Sequence, residues 1–276
     1  MPEGHTLRRL ADHLEAAFAG RPARLSSPQG RFAADAAVLD GQTVVGADSA
    51  GKHLFVEFPG DRFVHVHLGL IGKFDLHPAP AGPPVGQVRL RLENESTYAD
   101  LRGAILCDLI GREKHDLVIA SLGPDPLRAD ADPEKAWARI RRSHRSIGDL
   151  LLDQAVVAGV GNVYRAEVLF RHRIHPLRPG NTLRVSQWRS IWDDLVELMH
   201  EGVQSGRIDT VHSQHTPEAM GRPPRVDDHG GEVYVYRRTG QPCLVCGARI
   251  KTAALAGRNS FWCPHCQPAF RSRAVR

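Results

Sequence analysis

An α+β fold in several domains is what this sequence predicts, and three observations carry that expectation. One amphipathic helical stripe opens the chain, and many short apolar runs bounded by Gly, Pro, Asp and Asn follow it. From about residue 124 the apolar periodicity turns helical, and the chain closes on two Cys-x-x-Cys pairs. Together they divide the chain into a helix-capped antiparallel β-sandwich over 2–123, a helical domain over 124–231 and a small module over 232–276. A length of 276 residues leaves room for that division.

The opening stripe, residues 6–18, has Leu7, Leu10, Ala11, Leu14, Ala17 and Phe18 on one face and Arg8, Arg9, Asp12 and Glu15 on the other. Gly20 and Pro22 end it. Expected strands are 43–47, 53–58, 63–67, 73–76, 88–92, 96–100 and 104–109, so many and so short that a sandwich or barrel follows. The Pro-rich stretch 78–84 is a loop, because proline cannot serve a central strand. Gly123-Pro124-Asp125-Pro126 reads as a hinge. Beyond it, 133–143, 147–154, 162–173 and 186–202 have helical periodicity. Residues 204–231 are polar and read as a mobile loop whose His212, His215 and His229 are solvated rather than ligands. Residues 233–236 read as a strand leading into the last module.

Cys243, Cys246, Cys263 and Cys266 form two Cys-x-x-Cys pairs with sixteen residues between them. That spacing suits one tetrahedral zinc held by four thiolates, a structural rather than a catalytic arrangement. The intervening residues read as a hairpin, 248–252 and 260–262, with Ala256-Gly257-Arg258-Asn259 turning and Arg258 at the tip, hence a zinc ribbon. A tip carrying a guanidinium fork also suits a phosphate. The remaining cysteine, Cys107, lies in an apolar run and reads as a buried strand residue.

Gly159-Val160-Gly161 permits a tight double turn between two helices, with Asn162 capping the second. A Gly-x-Gly turn into a helix start serves either close packing or phosphate contact. At the front, Pro2 follows Met1, so removal of the initiator would leave a secondary amine at the terminus. Such an amine is nucleophilic toward a sugar C1′ carbon, with Glu3 beside it as acid or base; equally, Pro-Glu-Gly is an ordinary N-terminus. A net charge of +5 is compatible with a polyanionic partner without requiring one. No secretory leader and no run of about eighteen apolar residues is present, so a cytoplasmic chain with no membrane contact is expected.

Pro2-Glu3-Gly4, Gly51-Lys52-His53-Leu54, His67-Leu68-Gly69, Leu122-Gly123-Pro124, the run from Leu150 to Gln154, Gly159-Val160-Gly161-Asn162, Ile174-His175-Pro176 and Gly257-Arg258 occur in an order that resembles the formamidopyrimidine-DNA glycosylase/endonuclease VIII family. The resemblance spans almost the whole chain and leans to the endonuclease VIII side. It implies a helix–two-turn–helix in the helical domain, a nucleophilic Pro2, an acid/base Glu3 and a Lys52 contacting the phosphate beside the lesion. Asn162 and Arg258 would clamp phosphates from the helix–two-turn–helix and the ribbon. Leu70 occupies the place of a side chain that fills the void left by a flipped base, although an ordinary core residue fits there too. Arg102 keeps one element of the opposite-base wedge while its phenylalanine is absent, and Thr6 stands where the family often has a second glutamate. The implied activity is a bifunctional glycosylase and AP lyase on oxidised bases, mainly pyrimidines, acting as a monomer near the nucleoid on double-stranded DNA with a damaged base or abasic site. An AP lyase with little base excision and a non-catalytic damage-binding protein are the alternatives.

Overall fold

The structure is a computed structural model that describes residues 2–226 and 231–270. The chain divides into two compact units, Met1–Ser121 and Leu122–Arg276.

The first unit opens with helix α1 (Gly4–Phe18), whose buried Leu7, Leu10, Ala11, Leu14 and Phe18 form the expected stripe. Its strands are β1 (Arg24–Ser26), β2 (Gly46–Ala50), β3 (His53–Phe58), β4 (Arg62–His67), β5 (Lys73–Pro78), β6 (Val88–Glu93), β7 (Thr97–Arg102) and β8 (Leu106–Gly111). They form two four-stranded antiparallel sheets, ordered β1-β6-β7-β5 and β2-β3-β4-β8. The core lies under α1 and between the sheets, where Leu54, Val56, Val64, Val66, Leu90, Leu92, Ala99 and Leu101 alternate with outward residues. Cys107 is buried on β8 as expected, and burial pushes its thiol up to about 12.

Three features depart from the sequence reading. The strand expected at 43–47 begins at Gly46, because Thr43 and Val44 make only isolated bridges to Pro22 and Ala19. A short helix α2 (Ala33–Leu39) interrupts the strands; its Ala-rich sequence favours helix, and Ala36 and Leu39 bury one face. Another helix, α3 (Arg112–Ser121), continues directly from β8 and buries no residue completely.

The second unit contains α4 (Pro133–Ile140), α5 (Ile147–Leu150), α6 (Asn162–Arg171), α7 (Val185–Ser205), α8 (Pro217–Met220) and the hairpin β9 (Lys251–Leu255) and β10 (Arg258–Trp262). Asp132 caps α4 by accepting from Glu134 N at 3.0 Å, with Pro133 at the first turn. The helix expected over 147–154 stops at Leu150, since Asp153 and Gln154 turn their side chains onto the backbone of the following turn. The 204–231 stretch contains a 3₁₀ turn (Ser213–His215) and α8. His215 Nδ1 lies 2.9 Å from the Tyr234 hydroxyl, so this ring is tied to a tyrosine rather than left to solvent. His229 lies outside the described residues.

Residues 233–236 are not a strand. The backbone N–H groups of Tyr234, Val235 and Tyr236 donate to the buried carboxylate of Glu167 at 2.6–2.9 Å, which leaves none of the three for a ladder.

Candidate nucleic-acid interface and metal centre

All the candidate residues of the first unit gather at one end of the sandwich, and the register explains why. Glu15 on α1 accepts from Ala47 N at the start of β2, while Arg8 pairs with Asp48 further along it. The helix therefore runs against β2, and its N-terminal end, bearing Pro2 and Glu3, is directed toward the Gly51–Lys52 turn. Glu3 is completely buried and caps the helix through its carbonyl, which accepts from Thr6 N at 2.9 Å. The Gly51–Lys52 turn needs φ of +58° at Gly51, the first central position of a two-residue hairpin.

β3 begins where β4 ends, so the turn also lies beside the loop after His67. The His53 and His67 ring centroids are 5.0 Å apart. His67 Nδ1 accepts from Gly69 N at 3.0 Å, which fixes its proton on Nε2 and pins the start of the β4–β5 loop. Leu70 stands on that loop 60% exposed, which removes the core reading of this residue. β7 ends at Arg102, opposite Lys73 at the start of β5, so Arg102 belongs to the same end. Its guanidinium is engaged, donating to Asp100 at 2.6 Å and to Val85 O at 2.9 Å. Asp100 in turn takes a bidentate pair from Arg91.

The outward face of the β2-β3-β4-β8 sheet carries His53, His65 and His67, two of which the sequence reading quoted within motifs and none of which it gave a role. His53 Nδ1 lies 2.8 Å from His65 Nε2, and His65 stacks on Phe55 at 4.7 Å. Burial, followed by neighbouring charge, lowers both imidazoles to about 4. His67 is lowered too, by burial and then by the Lys52 ammonium. The detectable signal was alternation, His65-Val66-His67 on an otherwise apolar strand. In α1, burial first and then positive neighbours lower His5 to about 4, and its Nε2 lies 3.2 Å from the Thr6 hydroxyl. A neutral imidazole–hydroxyl pair thus occupies the place where the family often has a second carboxylate.

In the second unit the double turn is stitched by Gln154. Its amide nitrogen donates to Leu152 O and Val160 O, and its oxygen accepts from Gly159 N at 3.0 Å. Gly159 has φ of +82°, the left-handed region where glycine is favoured. The N-cap of α6 is Gly161, and Asn162 is the first helical residue. Asn162 is buried, and its Nδ2 donates to Asn259 O at 3.1 Å, leaving its second N–H for another acceptor. The buried Arg165 bonds both the Asn162 oxygen and Asn259 O. Asn162 and the ribbon strand beside Arg258 are therefore held together.

The hairpin turn is Ala256–Gly257, with φ of 52° and 71°, and Arg258 is the exposed first residue of β10, one position past the tip. Two residues with positive φ match the right-handed strand twist, so the turn is shorter than the expected four residues. At the other end, Cys243, Cys246, Cys263 and Cys266 place their sulfurs within 4.8 Å of one another. Sulfurs about 2.3 Å from a tetrahedral zinc sit roughly 3.8 Å apart. The Cys243–Cys266 and Cys246–Cys263 separations of 3.9 and 3.5 Å fit that ion. Gln267, fully buried, accepts from Cys263 N and donates to Ile174 O at 2.8 Å, fastening the knuckle to the helical part.

A sandwich headed by a Pro-Glu helix start, a glycine double turn into a helix and a four-cysteine ribbon define the zinc-ribbon class of DNA glycosylase folds. Family models described as the formamidopyrimidine-DNA glycosylase N-terminal domain, the formamidopyrimidine-DNA glycosylase H2TH domain and the zinc finger found in FPG and IleRS match residues 1–105, 122–214 and 240–269. Endonuclease 8 1 of Mycobacterium tuberculosis is 50% identical over 271 residues, 97% of this chain and 100% of that one. The formamidopyrimidine-DNA glycosylase of a Synechococcus strain is 34% identical over 211 residues, 74% of this chain and 72% of its own. The Lactococcus lactis enzyme in complex with abasic-site DNA is 26% identical with a TM-score of 0.77, covering 97% of this chain and all of that one. The chain belongs to the formamidopyrimidine-DNA glycosylase/endonuclease VIII family, and its ribbon holds one structural zinc.

Proposed function

We propose that this DNA glycosylase is bifunctional, of the endonuclease VIII type, excising mainly oxidised pyrimidines in base excision repair and then cutting the strand as an AP lyase. What supports the reading most is the packing of α1 on β2, whose direction turns the Pro2–Glu3 end of the helix toward the Gly51–Lys52 turn. Half-identity to Endonuclease 8 1 over the whole chain supports the type, and a Lactococcus lactis relative has been crystallised with DNA containing an oxidised pyrimidine.

Once Met1 is removed, the Pro2 nitrogen attacks C1′ of the damaged nucleotide and the glycosidic bond breaks, the base leaving with the bonding pair. Glu3 takes the proton that the Pro2 nitrogen sheds and passes it to the ring oxygen as the sugar opens to the iminium. Loss of a C2′ proton expels the 3′ phosphate, and a second elimination expels the 5′ phosphate. Lys52 holds the phosphate beside the lesion, and Asn162 and Arg258 hold the strand from the second unit. The enzyme works as a monomer on double-stranded DNA, in the cytoplasm at the nucleoid. No described helix is long and apolar enough to cross a membrane.

Borohydride trapping on an abasic duplex tests this directly. A covalent adduct is expected from the mature protein and none from a form that retains Met1. Absence of an adduct from the mature protein overturns the mechanism. Release of dihydrouracil and thymine glycol, compared with incision of abasic DNA, separates a glycosylase from a lyase alone.

A further inference from the structure

A cavity of about 240 Å³ opens in the second unit between the C-terminal end of α6, the Ser213–His215 turn and the zinc knuckles. Phe170 and Tyr234, whose rings stack at 4.6 Å, line its base. The polar groups around it are donors, and the way they are held explains why. The Tyr234 hydroxyl accepts from His212 N at 2.9 Å, so its own proton goes to His215 Nδ1, also at 2.9 Å, and His215 carries its ring proton on Nε2. The Arg171 guanidinium can only donate, so His212 Nδ1, 3.5 Å from it, is an acceptor. Burial and then the Arg171 charge hold the His212 imidazole below its ordinary value, so this ring too is neutral with its proton on Nε2. Each ring thus spends its acceptor inside the protein and keeps an N–H. Gln214 and Arg173, both exposed, complete the rim. Among the described residues no carboxylate lines the cavity, and Asp194 behind it is taken up by Arg171 and His172.

Arg173 holds a backbone that arginine avoids. It follows α6 with φ of 54°, its N–H donating to Phe170 O while Ile174 N donates to Leu169 O, the left-handed helix end where glycine is the usual residue. A side chain kept there at the expense of stability points to a use for it. Cys266 forms one wall, and a zinc held by four thiolates is itself anionic. Arg171 is already paired with Asp194, so Arg173 is the cation that tips the cavity toward anions. We propose that this cavity binds a phosphomonoester, either free phosphate or the phosphate of a nucleotide, gripped by the Arg173 guanidinium fork and the Nε2–H groups of His212 and His215. Three terminal oxygens suit donors arriving from two chain segments better than the two of a carboxylate. The volume is below the ~300–1,000 Å³ of pockets for larger ligands, so a nucleotide would leave its base outside. The ten residues of α6 set the cavity roughly 15 Å from Asn162, so it is separate from the strand grip proposed for that residue.

Calorimetric titration of the zinc-loaded full chain at constant ionic strength tests the site with two probes, inorganic phosphate and thymidine 5′-monophosphate. Saturable one-to-one binding is expected. Arg173→Gly should weaken it about tenfold or more, the loss of a charged hydrogen-bonding fork. Its melting temperature should equal or exceed that of wild type, because glycine suits a left-handed helix end. Arg173→Lys, which keeps the charge, should recover most of the affinity. Equal affinity for the two probes identifies free phosphate as the ligand, and tighter binding of the nucleotide identifies a nucleotide. No saturable binding of either probe by wild type, or binding that Arg173→Gly leaves unchanged, overturns the proposal. So does displacement of the bound phosphate by an abasic duplex, since the anion would then occupy the DNA grip rather than this cavity.

Discussion

The two units position their candidate residues by opposite means. In the sandwich, Lys52 and Arg102 lie at the ends of paired strands and Leu70 on the loop that joins two of them, and antiparallel register brings them to one edge. In the second unit no ladder reaches the double turn. The double turn is bridged locally by Gln154, and the elements around it are held by the buried Arg165, Glu167 and Gln267, each bonding backbone groups far apart in sequence, and by a metal. Ladder-held sites tolerate loss of any single side chain, whereas stitched sites concentrate their stability in a few atoms.

Removing the metal breaks that comparison most visibly. Zinc contributes folding free energy directly in small ribbons. Chelation, or Cys263→Ser, is expected to unfold 240–269 and abolish tight DNA binding, while the sandwich keeps its own thermal transition. Hydrogen exchange resolves the two: loss of protection in β3 and β4 along with the ribbon would show that the units do not fold independently.

Next in size is Glu167→Gln. This fully buried carboxylate accepts four bonds, three from the backbone of residues 234–236 and one from the Thr210 hydroxyl at 2.7 Å. An amide can match the shape but turns a donor toward donors, and the cost should be roughly 3 kcal/mol. Urea unfolding reads it as a lower midpoint at constant slope. Lys52→Ala, by contrast, should leave the midpoint within about 0.5 kcal/mol of wild type, since a surface turn side chain carries little of the fold.

Acid probes the sandwich. His53 and His65 are held near 4 in the folded unit against an ordinary 6.5, mainly by burial. Between those values the unfolded chain binds more protons, so stability rises with pH through this window. It is fully present above about 6.5 and is lost as the pH falls toward 4. His5 adds to the same slope. A His53→Phe, His65→Phe double variant should flatten the acid limb of the melting temperature between pH 4 and 6.5; an unchanged limb would show that these rings do not set it.

What could be read from the sequence follows the same division. Strand alternation and the α1 stripe gave the sandwich, and Cys spacing gave the metal, because both depend on local periodicity. Pro2, Glu3 and Lys52 carry no local signal beyond their motifs, and only the register of α1 on β2 brings them to one end. Residues 233–236 look like a strand because Val and Tyr alternate; the backbone is diverted by a carboxylate sixty-seven to sixty-nine positions earlier, which no local pattern contains. The same holds for Asn162, whose buried amide is turned to Asn259 across ninety-seven positions.

The smallest effect sharpens the contrast. Ala256 has a φ of 52°, a left-handed backbone that costs an L-residue about 1 kcal/mol and that asparagine tolerates better. In a ladder-held hairpin, Ala256→Asn would raise the melting temperature directly. In a ribbon whose folding is coupled to zinc, the gain of about 0.5 kcal/mol appears instead as roughly twofold tighter zinc binding, because the turn forms only when the metal does. Competition with a chromophoric chelator measures that ratio. A higher melting temperature of the zinc-free chain with unchanged zinc affinity would mean that the hairpin forms before the ion arrives, and the second unit would then share the self-registering logic of the first.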